Sequence, residues 1–155
     1  MEGRRASRAL IHIQNLKHNV RSIRNVLPEG TKVCASVKAN AYGHGADIAV
    51  QVLRACGVEF LGVATPWEGY QIRKGAAADD GRIILYGPAS ADEIPIIAAA
   101  DLEPMVTSRN YISSLAAENA WGVMISEPGP EDQVPTLVRN SKAIRIIQPV
   151  FDLMG

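Results

Sequence analysis

An alternating apolar run passes directly into a glycine-rich loop in the stretch KVCASVKANAYGHG, residues 32–45. Residues 32–39 predict a β-strand, because side chains that alternate between apolar and small or polar types suit the two faces of a sheet. One face consists of Val33, Ala35 and Val37, and the opposite face of Cys34, Ser36 and Lys38. The predicted strand therefore presents a lysine at its carboxyl end, on the more polar face.

Lys38 lies where parallel α/β proteins place their chemistry, since their active sites form at the carboxyl ends of the strands. An amine in that position can bind an anion, act as a base, or form a Schiff base with a carbonyl compound. It can also simply extend out of the strand end into water. Tyr42 and the turn Gly43-His44-Gly45 follow closely, and a phenol hydroxyl there can donate to a phosphate group. The spacing alone leaves these uses open.

The rest of the chain repeats the order strand, helix, strand. Strands are predicted at 9–13, 32–39, 60–64, 82–86 and 103–106, and helices near Asn15, Asp47, Thr65, Ser90 and Ser108. This alternation predicts a parallel α/β sheet with right-handed crossovers. A doubly wound sheet and a (β/α)8 barrel both fit the order. No GxGxxG pattern follows any of these strands, which disfavours a dinucleotide-binding fold.

Helix-capping residues support two of these helix starts. Thr65 and Glu68 form a predicted capping box, with Pro66 at the first helical position. Ser90 and Glu93 form a second box. A capping box satisfies two backbone N–H groups at a helix start, so it marks that start more sharply than hydrophobic periodicity does.

Composition excludes several classes of function. Lys plus Arg and Asp plus Glu each number 16, so the formal net charge is zero, and no basic stripe indicates nucleic-acid binding. No apolar stretch suits a signal peptide or a membrane span, so we expect a cytoplasmic protein that does not bind membranes. The two cysteines, Cys34 and Cys56, are expected to be buried free thiols. No metal site is expected, because the three histidines lack ligand-like spacing.

The length of the chain bears on whether a barrel can be complete. The chain has 155 residues, whereas a complete (β/α)8 barrel usually needs about 250. The alternation of strands and helices also becomes irregular after about residue 119. A fifth strand is predicted at 121–126, and a proline- and glycine-rich loop follows it at 127–132. The expected fold class is therefore α/β, a partial (β/α)8 barrel with parallel strands that comprises the N-terminal half.

The segment 37–45, Val-Lys-Ala-Asn-Ala-Tyr-Gly-His-Gly, resembles the pyridoxal-phosphate attachment segment of alanine racemases. Further stretches resemble the opening helix and turn of that family, its second strand with the following helix, and its third strand: residues 15–19, 27–31, 63–75 and 83–87. The resemblance covers about residues 6–118. It implies a barrel domain that helps to interconvert L-alanine and D-alanine, the latter for cell-wall peptidoglycan.

The resemblance also implies functions for individual residues. Lys38 would hold pyridoxal 5'-phosphate covalently and then serve as the base on one face of the substrate Cα. Tyr42 would lie near the cofactor phosphate, and Tyr86 falls where the family usually carries a leucine that lines the cofactor ring. In the family, a tyrosine from a second, β-rich domain of the partner subunit serves the opposite face. A homodimer is therefore expected for the full-length family.

Residues from about 120 onward depart from the family pattern. An Asp-Thr-Gly-Met run is expected near residue 121, and the chain instead reads Trp-Gly-Val-Met-Ile-Ser-Glu-Pro over 121–128. We therefore expect residues 1–119 to form the N-terminal part of the barrel domain and residues 120–155 to form a divergent tail, as after a truncation or a frameshift. Two alternatives to a racemase stay open at this point: a non-catalytic pyridoxal-phosphate-binding barrel protein, and an inactive remnant.

Overall fold

The computed structural model describes residues 9–75, 81–106, 108–117 and 124–125. Helices and strands alternate along these residues. The strands are β1 Cys34–Ser36, β2 Phe60–Val63, β3 Arg82–Leu85, β4 Glu103–Val106 and β5 Met124–Ile125. The helices are α1 Ile13–Val26, α2 Lys38–Tyr42, α3 Ala46–Ala55, α4 Pro66–Lys74, α5 Ile94–Ala99 and α6 Arg109–Ala117, with a 3-10 turn at Ala91–Glu93 before α5.

The strands form one parallel sheet in the sequential order β1-β2-β3-β4-β5. Ser36 of β1 pairs with Gly62 of β2, and Gly62 pairs with Ile84 of β3. A doubly wound sheet reverses its strand order at the ligand site, whereas a barrel adds each new strand to the same edge. The sequential order selects the barrel. The described strands form the N-terminal part of a (β/α)8 barrel, and the predicted fold class is confirmed.

Side chains of the central strands alternate between two hydrophobic clusters. Leu61 and Ile83 are fully buried in the cluster that includes the core residues of the helices. Phe60 and Ile84 belong to a second cluster, against which Tyr86 packs. Because successive side chains of a strand point to opposite faces, the first cluster lies on the outer, helix-covered face and the second on the inner face. The side chain of Tyr86 therefore lies on the inner face of the barrel sheet.

Charged side chains join neighbouring elements near the amino ends of the strands. Arg82 at the start of β3 makes a two-pronged contact with Glu103 at the start of β4. Arg24 of α1 lies 2.9 Å from Glu59, just before β2. The carboxylate of Glu59 also accepts a hydrogen bond from the backbone N–H of Val33, at 2.9 Å. The first contact joins the starts of β3 and β4, and the other two join the starts of β1 and β2 to each other and to α1.

The strand predicted over 32–39 is shorter than expected. β1 ends at Ser36, and Lys38 is the first residue of α2. Val37 still donates its backbone N–H to the carbonyl of Gly62, at 2.8 Å, so the pairing with β2 continues for one residue. The strand stops there because Val37 has a ψ angle of 15°, outside the β region, and the residues after Lys38 have positive φ angles.

The first helix also differs from the prediction. Residues 9–12 form no strand, and α1 begins at Ile13 with His12 as its N-cap. The carbonyl oxygen of His12 accepts hydrogen bonds from the backbone N–H groups of Asn15, at 3.0 Å, and Leu16, at 3.2 Å. Asn15 therefore lies inside the first turn rather than at its cap.

Part of the prediction for the end of the chain falls outside the described residues. The tail predicted over 120–155 is described only at β5, where Met124 and Ile125 pair with Met105 and Val106 of β4. None of the helices within the described ranges combines the length and the apolar character that crossing a membrane requires. These same ranges hold no group of three or more His, Cys, Asp or Glu side chains able to bind a metal ion.

Candidate active site

Two tyrosine hydroxyls meet the inner face of β1. The hydroxyl oxygen of Tyr42 lies 3.1 Å from Oγ of Ser36, and that of Tyr86 lies 3.4 Å from Sγ of Cys34. Lys38 is half-buried and follows Ser36 by two residues. The three residues predicted for the site thus lie around one short strand: Lys38 follows its carboxyl end, Tyr42 bonds to Ser36 at that end, and Tyr86 bonds to Cys34, the first residue of β1.

The residues of α2 after Lys38 do not have right-handed helical angles but form a left-handed turn. At each residue from Ala39 to Tyr42, φ lies between +50° and +55°. A residue with a Cβ atom rarely adopts this region, and each one costs roughly 1–2 kcal/mol there. Backbone strain of this kind persists only where surrounding contacts enforce it, and it concentrates at functional sites. The turn has a direct result, because it brings the Tyr42 hydroxyl back to Ser36.

Two glycines and one asparagine close the turn and start the next helix. Gly43 and Gly45 have φ angles of +86° and +87°, which glycine adopts without the steric penalty of a Cβ atom. The backbone N–H of Gly45 donates to the carbonyl of Asn40, at 3.0 Å. The side-chain oxygen of Asn40 accepts from the backbone N–H of Ala46, the first residue of α3, at 2.7 Å. Asn40 thus closes the loop, because its backbone bonds to Gly45 and its side chain bonds to Ala46.

His44 serves this loop through a hydrogen bond. Its ring Nδ1 lies 2.9 Å from the carbonyl oxygen of Ala41. A carbonyl can only accept, so Nδ1 carries a proton and donates it to this bond. The position fits a loop-stabilising histidine rather than a metal ligand.

Tyr86 crosses the neighbouring strand at Gly62. A Cβ atom on Gly62 would lie 1.9 Å from the hydroxyl oxygen of Tyr86 and 2.1 Å from its Cζ. Only glycine leaves room for the ring to pass over β2 and reach Cys34 on β1. Burial raises the pKa of the Tyr86 hydroxyl above its usual value, and the hydrogen bond with Cys34 adds to the shift. The hydroxyl is therefore protonated at neutral pH and can donate a hydrogen bond.

The cysteines differ from the prediction of two buried thiols. Cys34 is exposed, and Cys56 is half-buried. The prediction is wrong because the apolar neighbours of Cys34 in the sequence lie on the outer face of β1, whereas its own side chain lies on the inner face, next to the Tyr86 hydroxyl.

Sequence reasoning missed two residues of this site. Gly62 could have been suspected, because a glycine inside a buried strand often marks a close approach of another group. Glu68 was predicted only as a helix cap, and its second contact, to the backbone N–H of Ala39 at 2.7 Å, spans 29 positions in the sequence. No local pattern indicates a contact of that kind.

Comparison with known proteins identifies the family. The family model described as the alanine racemase N-terminal domain matches residues 11–125. The chain belongs to the alanine racemase family. That assignment confirms the resemblance carried by the Lys38 segment, and it places the chain among isomerases of amino acids by family.

Curated alanine racemases are similar to this chain over most of its length. The enzyme of Treponema denticola is 38% identical over 112 residues, which is 72% of this chain and 29% of that protein. The alanine racemase of Treponema pallidum is 34% identical over 110 residues, which is 71% of this chain and 28% of that protein. The chain thus spans about three tenths of the length of these alanine racemases.

Solved alanine racemase structures share the fold. The enzyme from E. faecalis superposes with a TM-score of 0.69 at 25% identity, covering 80% of this chain and 34% of that one. The enzyme from Clostridium difficile 630, in complex with cycloserine, gives a TM-score of 0.73 at 23% identity, covering 86% of this chain and 38% of that one. At 23% identity, the likeness to the Clostridium difficile enzyme shows the fold alone. Both agree with a partial barrel.

Proposed function

We propose that this chain carries the cofactor-binding part of an alanine racemase, in which Lys38 holds pyridoxal 5'-phosphate and the whole enzyme interconverts L-alanine and D-alanine. One observation carries the proposal: the left-handed turn after Lys38 returns the Tyr42 hydroxyl to within 3.1 Å of Ser36 Oγ. The turn thus keeps the Tyr42 phenol beside the strand end that Lys38 directly follows. Membership of the family supports the choice of cofactor and substrate.

The side chains at this strand end suit pyridoxal phosphate. An amine is needed to hold its aldehyde, and Lys38 is a half-buried amine just beyond β1. A hydroxyl donor suits its phosphate, and Tyr42 carries one on an exposed side chain. Tyr86, fixed over Gly62, supplies an aromatic wall beside the same strand. When bound, the cofactor supplies the electron sink that makes the Cα proton of an amino acid acidic.

Racemisation requires a proton to leave one face of Cα and another to arrive at the opposite face. In this proposal, Lys38 moves the proton on the first face. The donor for the second face comes from a partner subunit, so the proposal includes a homodimer of the full-length protein. A small amino acid, alanine, is the substrate.

The proposal also covers the organisation and location of the protein. Residues 1–119 belong to the barrel domain, and residues 120–155 form a divergent tail. The protein acts in the cytoplasm, where it contributes to D-alanine biosynthesis. Neither point affects the test of the cofactor site.

The test adds pyridoxal phosphate to the purified chain and records the visible spectrum, followed by borohydride reduction and mass spectrometry of the modified peptide. Lys38→Ala is compared with Lys74→Ala, which removes an exposed lysine on α4. We expect a visible band and a reduced adduct on Lys38 in the parent chain and in Lys74→Ala, and neither in Lys38→Ala. Conversion of L-alanine into D-alanine is then assayed with D-amino-acid oxidase.

The outcomes separate the candidate functions. A band that depends on Lys38, together with racemisation, supports the proposal. The same band without racemisation, also after a C-terminal racemase fragment has been supplied, favours the non-catalytic pyridoxal-phosphate-binding protein. No adduct on Lys38, or equal labelling of Lys38 and Lys74, overturns the cofactor site.

A further inference from the structure

Glu68 joins the start of α4 to the turn that carries Lys38. We infer that Glu68 is a positioning residue, whose carboxylate fixes the left-handed turn and thereby the direction in which Lys38 leaves β1. The importance of Lys38 rests on the proposed function. The link between Glu68 and the turn rests only on the hydrogen bonds that Glu68 makes. It goes beyond the helix cap that the sequence predicts for this residue.

The carboxylate of Glu68 accepts hydrogen bonds from two separate segments. Oε1 accepts from the backbone N–H of Ala39, at 2.7 Å. Oε2 accepts from the backbone N–H groups of Ala64, at 2.8 Å, and Thr65, at 3.4 Å. Ala39 is the residue directly after Lys38, and Ala64 directly follows β2. One side chain therefore connects the end of the second strand to the backbone next to the predicted catalytic amine.

A capping box uses only part of this arrangement. Its two bonds are those between the Thr65 hydroxyl and the N–H of Glu68, at 3.3 Å, and between Glu68 and the N–H of Thr65. The second carboxylate oxygen is not needed for capping, and here it accepts from the turn at the shortest of these distances. The additional contact is what distinguishes Glu68 from an ordinary cap.

The chemistry of a carboxylate suits three N–H donors. An ionised glutamate has only acceptor sites, so every approaching N–H group finds a lone pair. A glutamine of the same size has a single oxygen, and its NH₂ group would face a backbone N–H group. Glu68→Gln therefore preserves the volume of the side chain but cannot serve Ala39 and the α4 cap at the same time. Two donors, the N–H groups of Ala64 and Thr65, meet at Oε2, so we expect the single glutamine oxygen to stay there and the NH₂ group to face Ala39.

The turn depends on contacts of this kind. Its residues carry positive φ angles that a chain with Cβ atoms avoids, so external bonds must hold them there. A cleft of about 790 Å³ borders Ala39, Glu68 and Trp67. Water can therefore reach Ala39 when its acceptor is lost, and the local structure can relax without opening the core. We expect a local change in the turn rather than unfolding.

The experiment measures amide hydrogen exchange at Ala39 by NMR in the full chain. The internal reference is the amide of Val37, which donates to Gly62 and does not depend on Glu68. Glu68→Gln is compared with Thr65→Ala, which removes the capping hydroxyl but leaves the carboxylate in place. Pyridoxal phosphate affinity is titrated for the same proteins by absorbance.

We expect Glu68→Gln to raise the exchange rate of Ala39 relative to Val37 about tenfold, because it removes a charge-assisted hydrogen bond. The dissociation constant for pyridoxal phosphate should rise by a similar factor. Thr65→Ala should change both quantities by less than about twofold, since the bond to Ala39 stays.

Three results would overturn the inference. The first is an equal effect of both substitutions on Ala39, and the second is an equal acceleration of Ala39 and Val37 in Glu68→Gln, which would indicate a change in the whole fold. The third is a faster Ala39 exchange with unchanged cofactor affinity, because the turn would then not position Lys38. Should the parent chain bind no pyridoxal phosphate, the proposed function fails, and the exchange ratio alone decides whether Glu68 holds the turn.

Discussion

The two ends of the sheet are built from different kinds of contact. At the amino ends, Arg82 pairs with Glu103 and its guanidinium carbon lies 4.6 Å from the centre of the Phe60 ring. Near the carboxyl ends, the hydroxyl groups of Tyr42, after β1, and of Tyr86, after β3, bond to Ser36 and Cys34 of β1, next to a strained turn. In barrels of this type, the amino-terminal face contributes stability and the carboxyl-terminal face carries the reaction. The contrast teaches that the first strands of this chain already differ at their two ends in the way that such barrels lead one to expect.

Among substitutions near the carboxyl ends of the strands, we expect those that disturb the fit between Gly62 and Tyr86 to change the unfolding free energy most. Gly62→Ala places a methyl group on the Tyr86 ring and should cost about 1–3 kcal/mol of unfolding free energy, as overpacked cores do. Tyr86→Leu in the same chain should recover most of that loss, because the clashing ring atoms are gone. Tyr86→Phe should recover little, since it removes only the hydroxyl. Urea unfolding of the single and double variants measures these differences.

The double variants decide whether the ring itself is the obstacle. An equal recovery with leucine and phenylalanine would assign the clash to the hydroxyl alone. A Gly62→Ala chain as stable as the parent would show that Tyr86 can leave its place over β2 without cost.

The Arg82–Glu103 pair tests the opposite end of the sheet. Glu103→Gln leaves a partly buried guanidinium without its charged partner, so the unfolding free energy should fall by about 1–2 kcal/mol. Pyridoxal phosphate affinity should not change, because the pair lies at the far ends of β3 and β4. Ser36→Ala is the matched variant at the site. We expect it to lower the affinity for pyridoxal phosphate more than it lowers the unfolding free energy. Urea unfolding and cofactor titration of both variants provide the comparison, and equal losses of affinity would erase the distinction between the two ends.

The smallest expected effect concerns acid stability through Glu59. Although burial opposes its charged form, hydrogen bonds from Val33 and from Arg24 hold the pKa of Glu59 below its usual value. A lowered pKa in the folded state stabilises the protein above the unfolded value of about 4.3, and the gain is lost as the pH falls through the folded value. Glu59→Gln should therefore lose less stability than the parent between about pH 6 and pH 3, by about 0.5 kcal/mol or less.

Urea midpoints across this pH range check the last prediction. Glu29→Gln, a substitution in the loop after α1 and outside the Arg24–Glu59 pair, is the control. Parallel pH curves for Glu59→Gln and the parent would mean that the ion pair contributes nothing measurable.

Local chemistry made most of the fold predictable. The capping boxes at Thr65–Glu68 and Ser90–Glu93 are both present, because they depend on residues three positions apart. The order of strands and helices follows from hydrophobic periodicity in the same way. The order of strands and helices alone fits both the barrel and the doubly wound sheet, since these folds differ only in which strands pair; the missing GxGxxG pattern and the family resemblance favoured the barrel. Strand pairing is a long-range property, and the sheet order resolved it.

The sequence singled out the residues of the candidate site, but it did not predict their geometry. The segment with Lys38 and Tyr42 stands out as a motif, yet its alternation was extended three residues beyond the true strand end at Ser36. Side-chain type does not reveal that Ala39 has a positive φ angle, because alanine prefers the opposite region. That conformation is supported by contacts such as the one from Glu68, far away in the sequence.

The left-handed turn also reverses the usual ranking of substitutions. Glycine generally weakens a helix, but at Ala39, Asn40 and Ala41 it would remove the steric cost of a Cβ atom at positive φ. Valine or isoleucine, which replace alanine readily in many strands, would meet their highest penalty at the same places. In a library of random variants, this lysine segment would therefore tolerate the residues that ordinary elements reject, and it would reject those that a β-strand welcomes.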